Sequence, residues 1–339
     1  MKKKLSIILS VLFAMSAFTA CGAKKEETKK EVKPEVKQEQ KVEAKSLKVF
    51  YPDGIPALTI AKLVKENPSI NKNITISYEL QKTPDALVSK VLSGEADIAI
   101  VPSNLAAQAY NKNMPYKLAA TGGWGSFFLI STEDIKAFND IKGKEIHNIG
   151  KGLTPDIVFK YILSKNSINP DKDVTITYLN SATELAPTFI SGKSKIAVIP
   201  EPMLTNVTMK KPDIKIIFNL NEEWTKITGN ANGYPQSSLI IKKDLLENNK
   251  EFVEEFLVKY KESIEWANKN PEKLGEYAQE LKFSMTKEIV QKSITRANIK
   301  YVDIKDSIKD YEVYFKALFE FESKSIGGKL PDEGLYMQK

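Results

Sequence analysis

The sequence predicts an α/β protein of two lobes, each a mixed, mostly parallel sheet flanked by helices, with two crossings of the chain between them. Two observations carry that expectation. The segment L-S-G-E-A-D-I-A-I-V-P (92–102) returns as I-S-G-K-S-K-I-A-V-I-P (190–200), at a constant offset of 98 residues. Both copies are preceded by the same order of strand, Gly/Pro turn and amphipathic helix. A period near 100 residues is far too long for a solenoid and reads as duplication of a domain.

At the amino end, Lys2, Lys3 and Lys4 precede a mostly apolar run of 16 residues, Leu5 to Ala20. The pattern is that of an export signal, and the run is shorter than the roughly 20 residues a spanning helix needs. It leads into F-T-A-C-G (18–22), which holds the one cysteine of the chain. This stretch resembles the bacterial lipoprotein signal, although Phe18 stands where such signals usually carry leucine. The resemblance implies removal of residues 1–20, lipidation of Cys21 and a body held at the cell membrane, facing outside the cytoplasm. A lone cysteine excludes an intramolecular disulfide and any cysteine metal cluster. Residues 21–45 are expected to form a solvated tether. From Ala23 to Lys45 there are eight lysines, six glutamates and no aromatic residue, too little apolar surface to drive folding.

In the body, Leu47 to Tyr51 reads as a strand, followed by Gly54, Pro56 and a helix. T-I-S-Y (75–78) is a second strand, matched by T-I-T-Y (175–178). Thr83 before Pro84 is an N-cap signal, and Ser93-Gly94 and Ser191-Gly192 are helix stops. Ile98 to Val101 and Ile196 to Ile199 are wholly apolar, as strands buried on both faces of a parallel sheet should be. Glu145 to Ile149 opens the second copy. Beyond it, Ile214 to Phe218 and S-S-L-I-I (237–241) read as strands, with a short helical piece around Trp224. Helical patterns then cover Glu251 to Asn268, Lys273 to Leu281, Thr286 to Asn298 and Ile308 to Lys324. Returning the chain to the first lobe assigns residues 46–125 and 235–339 to lobe 1 and 126–234 to lobe 2, with crossings near 122–132 and 231–241.

The formal charge is +7, of which the three lysines of the signal carry three, leaving +4, too mild and too interspersed with acids for a nucleic-acid partner. Catalytic types are scarce. His147, the only histidine, falls in a strand, where a core imidazole is expected, and no His/Cys metal set exists. The Glu222–Glu223 and Glu254–Glu255 pairs read as solvated helix faces. Arg296, the single arginine, is expected to make a surface ion pair; one guanidinium cannot build a clamp for a strongly anionic dicarboxylate. No cofactor is called for.

The tandem S-G-x-x-x-I-A segments ending in V-P-S-N (101–104) and I-P-E-P (199–202), with G-K-G-L-T-P (150–155) and P-Q-S-S-L-I-I (235–241), resemble a known family. The order of these features is similar to that of the type II periplasmic binding proteins of the nitrate, sulfonate and taurine importers, a group that includes receptors for thiamine precursors. The resemblance covers roughly residues 46 to 325. It implies a monomeric Venus-flytrap receptor that captures a small organic or anionic solute between its lobes and docks on an ABC permease with its ATPase. An enzyme of the same fold, or a surface ligand-sensor or adhesin without transport, are the alternatives.

Ligands of open α/β sheets sit beyond the carboxyl ends of the strands. That rule selects four loops and, from them, Tyr51, Asp53, Gly54, Ile55, Ser103, Asn104, Gly152, Leu153, Thr154 and Glu201 as candidate ligand contacts. G-K-G-L-T-P lacks the spacing of a nucleotide phosphate loop. In T-G-G-W-G-S-F-F (121–128), at the first crossing, Thr121, Trp124 and Ser126 are further candidates, the indole for stacking. Tyr234 and Gln236 are their counterparts at the second crossing. Alanine at Trp124 or Ser103 is expected to weaken binding with little loss of stability.

Overall fold

The computed structural model describes residues 45–338. The expected signal, Cys21 and the tether to Ala44 lie outside the described residues. The described residues form one compact unit.

The chain first runs β1 (Lys45–Pro52), α1 (Ile55–Glu66), β2 (Ile74–Gln81), α2 (Pro84–Leu92), β3 (Ile98–Pro102), α3 (Ser103–Asn111) and β4 (Tyr116–Trp124). After β5 (Phe127–Ser131) the same scheme returns as β6 (Glu145–Ile149), α4 (Thr154–Lys165), β7 (Thr175–Leu179), α5 (Ala182–Ile190), β8 (Ile196–Pro200), α6 (Met203–Lys210) and β9 (Lys215–Asn219). Then come α7 (Leu220–Thr228), β10 (Pro235–Lys242), α8 (Lys243–Asn248), α9 (Lys250–Lys269), α10 (Pro271–Glu280), α11 (Lys287–Ser293), β11 (Ile299–Asp303) and α12 (Ile304–Glu322).

These strands form two sheets, a six-stranded one in the order β11-β4-β10-β3-β1-β2 and a five-stranded one in the order β7-β6-β8-β5-β9. The likeness of the two halves is one of topology. In each, the first strand pairs in parallel with the second and the third, and an antiparallel strand separates the third from the fourth. That inserted strand is β10 in one sheet and β5 in the other, each the first strand after a crossing. The sequence repeat coincides with elements: α2 and α5 start at Pro84 and Ala182, and β3 and β8 at Ile98 and Ile196. The four apolar residues of each run, Ile98–Val101 and Ile196–Ile199, are buried, which is why their sequence does not alternate.

Helix starts follow local chemistry. The Thr83 hydroxyl accepts from Ala86 N and the Ser181 hydroxyl from Glu184 N, the same cap in both copies. At α1 the turn is made by Gly54 at φ +97°, a conformation that only glycine adopts without strain, with Pro56 in the first helical turn.

Two expectations are corrected. β1 begins at Lys45, inside the stretch expected as tether. The helix expected over Thr286–Asn298 stops at Ser293, tightens into a 3₁₀ turn (Ile294–Arg296) and yields to β11, an edge strand on β4. Asn298 turns the chain at φ +49°, which no helix can carry through.

The two crossings run side by side. Gly125 N donates to Tyr234 O at 3.0 Å, and Asn298 Nδ2 donates to Gly125 O at 3.1 Å. The Asn221 side chain lies in the space that Gly125 and Gly233 leave open; a Cβ on them would stand 2.1 and 1.9 Å from Asn221 Oδ1. Behind this junction α12 packs on α4, and Trp224 sits among Tyr161, Tyr234 and Tyr314 with ring centroids 5.1–5.7 Å apart.

Buried tyrosines give the fold an alkaline limit. Burial pushes Tyr311 and Tyr51 up to about 12, the Asp53 charge adding to the effect at Tyr51, and burial raises Tyr234, Tyr260 and Tyr314 as well. A phenol neutral in the fold and ionised in the unfolded chain contributes stability fully below the ordinary value near 10, and that contribution is lost as pH rises toward the folded value. Denaturant midpoints are therefore expected to be flat from pH 8 to 9.5 and to fall steeply between 10 and 12. Phenolate absorbance should lag behind that of free tyrosine until unfolding releases it.

Candidate functional site

The carboxyl ends of the parallel strands of both sheets face one cleft. β1, β2 and β3 reach it from one lobe and β6 and β8 from the other, and the amino ends of α1, α2, α4, α5 and α6 border it. Its cavity is about 140 Å³ and opens to solvent, close to the volume of an engineered cavity that binds benzene. The wall is mainly apolar, with Ile55, Phe127, Ile149, Met203 and several prolines where strands end and helices begin. Prolines at these helix starts remove backbone donors, so the cleft offers fewer N–H groups than five bare helix ends would.

Asp53, Gly54, Ile55, Thr154, Glu201 and Gln236 line the cleft. Asp53 is held from behind, because its carboxylate accepts from Gly54 N, from Ser284 N and, in a short contact, from the Ser284 hydroxyl. Gln236 Oε1 accepts from Ser126 N and the Ser126 hydroxyl at 2.8 and 3.1 Å. Ser126 thus stands behind Gln236, outside the lining. Beside them, Ser237 lines the cleft with a buried hydroxyl that has no partner among the described residues.

The other candidates lie outside the lining. Ser103 and Thr121 are buried in a chain of hydroxyls, Ser103–Ser238–Tyr311–Thr121–Ser307, with contacts of 2.7, 2.6, 2.9 and 3.2 Å. Trp124 is 2% exposed and its Nε1 donates to Lys300 O at 3.2 Å. Tyr234 is buried against Trp224, Leu153 is a core residue, and Tyr51 packs edge-on against Phe283. The expectation for Trp124 and Ser103 is accordingly revised. Trp124→Ala should lower unfolding stability by about 3 kcal/mol in denaturant titrations, the penalty of emptying an aromatic core site. Asn104 and Gly152 join the lobes: Asn104 Nδ2 donates to Gly152 O at 3.0 Å, and the Thr154 hydroxyl donates to Asn104 Oδ1 at 3.2 Å. Gly152 N is taken by Asp156 Oδ2. The Gly150–Leu153 loop is thereby folded on its own helix instead of cupping a phosphate.

Lys82, Thr83, Ser181, Ala182 and Thr183 also line the cleft and were missed. They sit after β2 and β7, which end at the same edge as the strands chosen, so the strand-end rule applied to every parallel strand would have found them. Arg296 makes the expected ion pair, with a partner that was not foreseen. It is 42% exposed, but its partner Glu201 has a side chain with no exposure at all, and Nε and Oε1 are 2.6 Å apart. Glu201 belongs to lobe 2 and Arg296 to the turn before β11 of lobe 1, so this pair too spans the lobes.

A two-lobed α/β protein with its cleft at the strand ends has the architecture of periplasmic binding proteins, and solved structures agree. An ABC transporter structure from Parabacteroides distasonis is 26% identical, with a TM-score of 0.71, covering 87% of this chain and 99% of that one. The periplasmic aliphatic sulphonate binding protein SsuA from Escherichia coli shares the fold at 14% identity and a TM-score of 0.68, covering 87% and 92%. In sequence, residues 63–311 match the family described as "Menaquinone biosynthesis", and the chain belongs to that family. "Putative binding protein YtlA" of Bacillus subtilis (strain 168) is 25% identical over 197 residues, which are 56% of this chain and 56% of that relative's length.

Proposed function

We propose that this chain is the extracytoplasmic substrate-binding lipoprotein of an ABC importer, lipidated at Cys21, which captures a small solute in the inter-lobe cleft and presents it to a permease. The observation that carries this reading is a single mainly apolar cleft bounded by strand ends of both lobes, so that a bound solute touches both and favours their closure. The neighbours named as an ABC transporter and a sulphonate binding protein support it. The charged residues lining the cleft are Asp53, Glu201 and Lys82, and Arg296, outside the lining, neutralises Glu201, which leaves one acid and one cation to face a solute. That favours a small solute with one anionic group or a heteroaromatic ring over a dianion.

The test is a thermal-shift screen of the purified protein against sulfonates, thiamine-related pyrimidines, nucleosides and amino acids, followed by uptake of the hit in a deletion strain. A raised melting temperature and lost uptake support the reading. Uptake unchanged by the deletion removes the importer.

The family description favours a second reading, an enzyme acting on a small metabolite in the same cleft. Steady conversion of a cleft-binding compound by the purified protein, abolished when the cleft is blocked, would establish it.

A further inference from the structure

Three polar groups meet where α6 of one lobe faces the turn after α11 of the other. Glu201 Oε1 accepts from Arg296 Nε at 2.6 Å. Glu201 Oε2 accepts from Thr205 N at 3.1 Å and from the Thr205 hydroxyl at 2.9 Å. Arg296 Nη2 donates to the same hydroxyl at 2.9 Å, closing a ring of contacts. The carboxylate has no solvent exposure, and in a chain whose other long cations are all lysines the one arginine stands here. A guanidinium fork can hold a carboxylate and a hydroxyl at once in fixed geometry, which an ammonium cannot do. We propose that Arg296 and Glu201 form the clasp that sets how much of the protein is closed, and so tunes the affinity of a cleft that Glu201 itself lines.

The physical ground is the asymmetry of the pair. With Arg296 in place, the desolvated carboxylate is matched by a charge and by two Thr205 donors. Without it, closure buries a carboxylate that lacks its counter-charge, a strongly unfavourable state, while opening returns the carboxylate to water. Removing the arginine therefore penalises the closed form more than the open one. Apparent affinity falls by the same factor as the closed population. Elsewhere, Asn104 with Gly152 and Thr154 joins the lobes through uncharged groups, so the charged clasp is the stronger lever.

The inference rests on the solute-binding reading only in that the lobes must open and close, and its test needs no solute. Cysteines introduced at exposed Lys72 of lobe 1 and Lys193 of lobe 2, in the full chain with Cys21→Ser, report lobe separation by single-molecule energy transfer. Arg296→Ala is expected to raise the open-to-closed ratio at least about tenfold. Arg296→Lys should have an intermediate effect, and adding Glu201→Gln to Arg296→Ala should recover part of the closed population by removing the stranded charge. An unchanged distribution in Arg296→Ala, or a double variant more open than the single one, overturns the proposal. Should Arg296→Ala fail to fold, Arg296→Lys and Glu201→Gln decide, and no shift in either overturns it equally. If these variants shift the lobes while the solute screen stays blank, the clasp stands and the receptor reading falls.

Discussion

Replacing Trp224 with alanine is expected to lower the unfolding free energy by about 3–5 kcal/mol, which for many domains is a large part of the total. The indole is fully buried, and three tyrosine rings surround it. Two of these, Tyr161 of α4 and Tyr314 of α12, lie on helices packed against each other, while Tyr234 leads into β10. Alanine would leave a cavity bordered by elements of both sheets' flanks, and relaxation is hindered because each ring is tied to a different element. Denaturant titration followed by far-ultraviolet circular dichroism measures the loss. A loss below 1 kcal/mol would mean that the junction collapses onto the smaller side chain and does not depend on the indole.

Placing tryptophan at position 182 should have the opposite profile, with binding lost and stability kept. Ala182 begins α5, lines the cleft and is partly exposed. An indole there fills a cavity of about 140 Å³ without entering the core. Stability should change by about 1 kcal/mol at most, because Ala182 touches only the edge of the core and the indole has the open cleft to fill. Affinity for a solute that shifts the wild-type melting temperature should fall at least about 100-fold, because the solute and the indole claim the same space. Calorimetric titration of both proteins gives the comparison. Binding retained within threefold would place the solute elsewhere.

The duplication was the legible part of the fold. Short, wholly apolar runs such as I-A-I-V and I-A-V-I, each behind a Ser-Gly helix stop, mark buried parallel strands, and their offset links them without reference to distant contacts. β11 was not legible. Ile-Lys-Tyr-Val-Asp is brief and flanked by helical patterns, and it becomes a strand only because β4 presents an open edge. The site was half legible for a similar reason. The strand-end rule finds loops such as Asp53–Ile55 and Glu201, but whether a side chain turns to the cleft or to the core depends on packing that local sequence does not encode. Trp124 and Ser103 fit the expected pattern and face inward. Arg296 was visible as a singular residue, yet its partner lies 95 positions away across the lobes, where no local pattern points.

The late return of β10 and β11 to the first sheet bears on how the polypeptide acquires its shape. The five-stranded sheet draws on one uninterrupted stretch, from Phe127 to Asn219, and every pairing in it joins residues already synthesised by the time that stretch is complete. The six-stranded sheet is different. β4 does not pair with β3; between them lies β10, which is made more than a hundred residues after β3, and β11 arrives later still. Chain closure over such spans is slow relative to local pairing. On that ground the five-stranded sheet is expected to assemble first, while the six-stranded one waits, with β3 and β4 presenting unpaired edges to any neighbouring chain. That interval is when a chaperone, or a misplaced strand from another copy, has its opening.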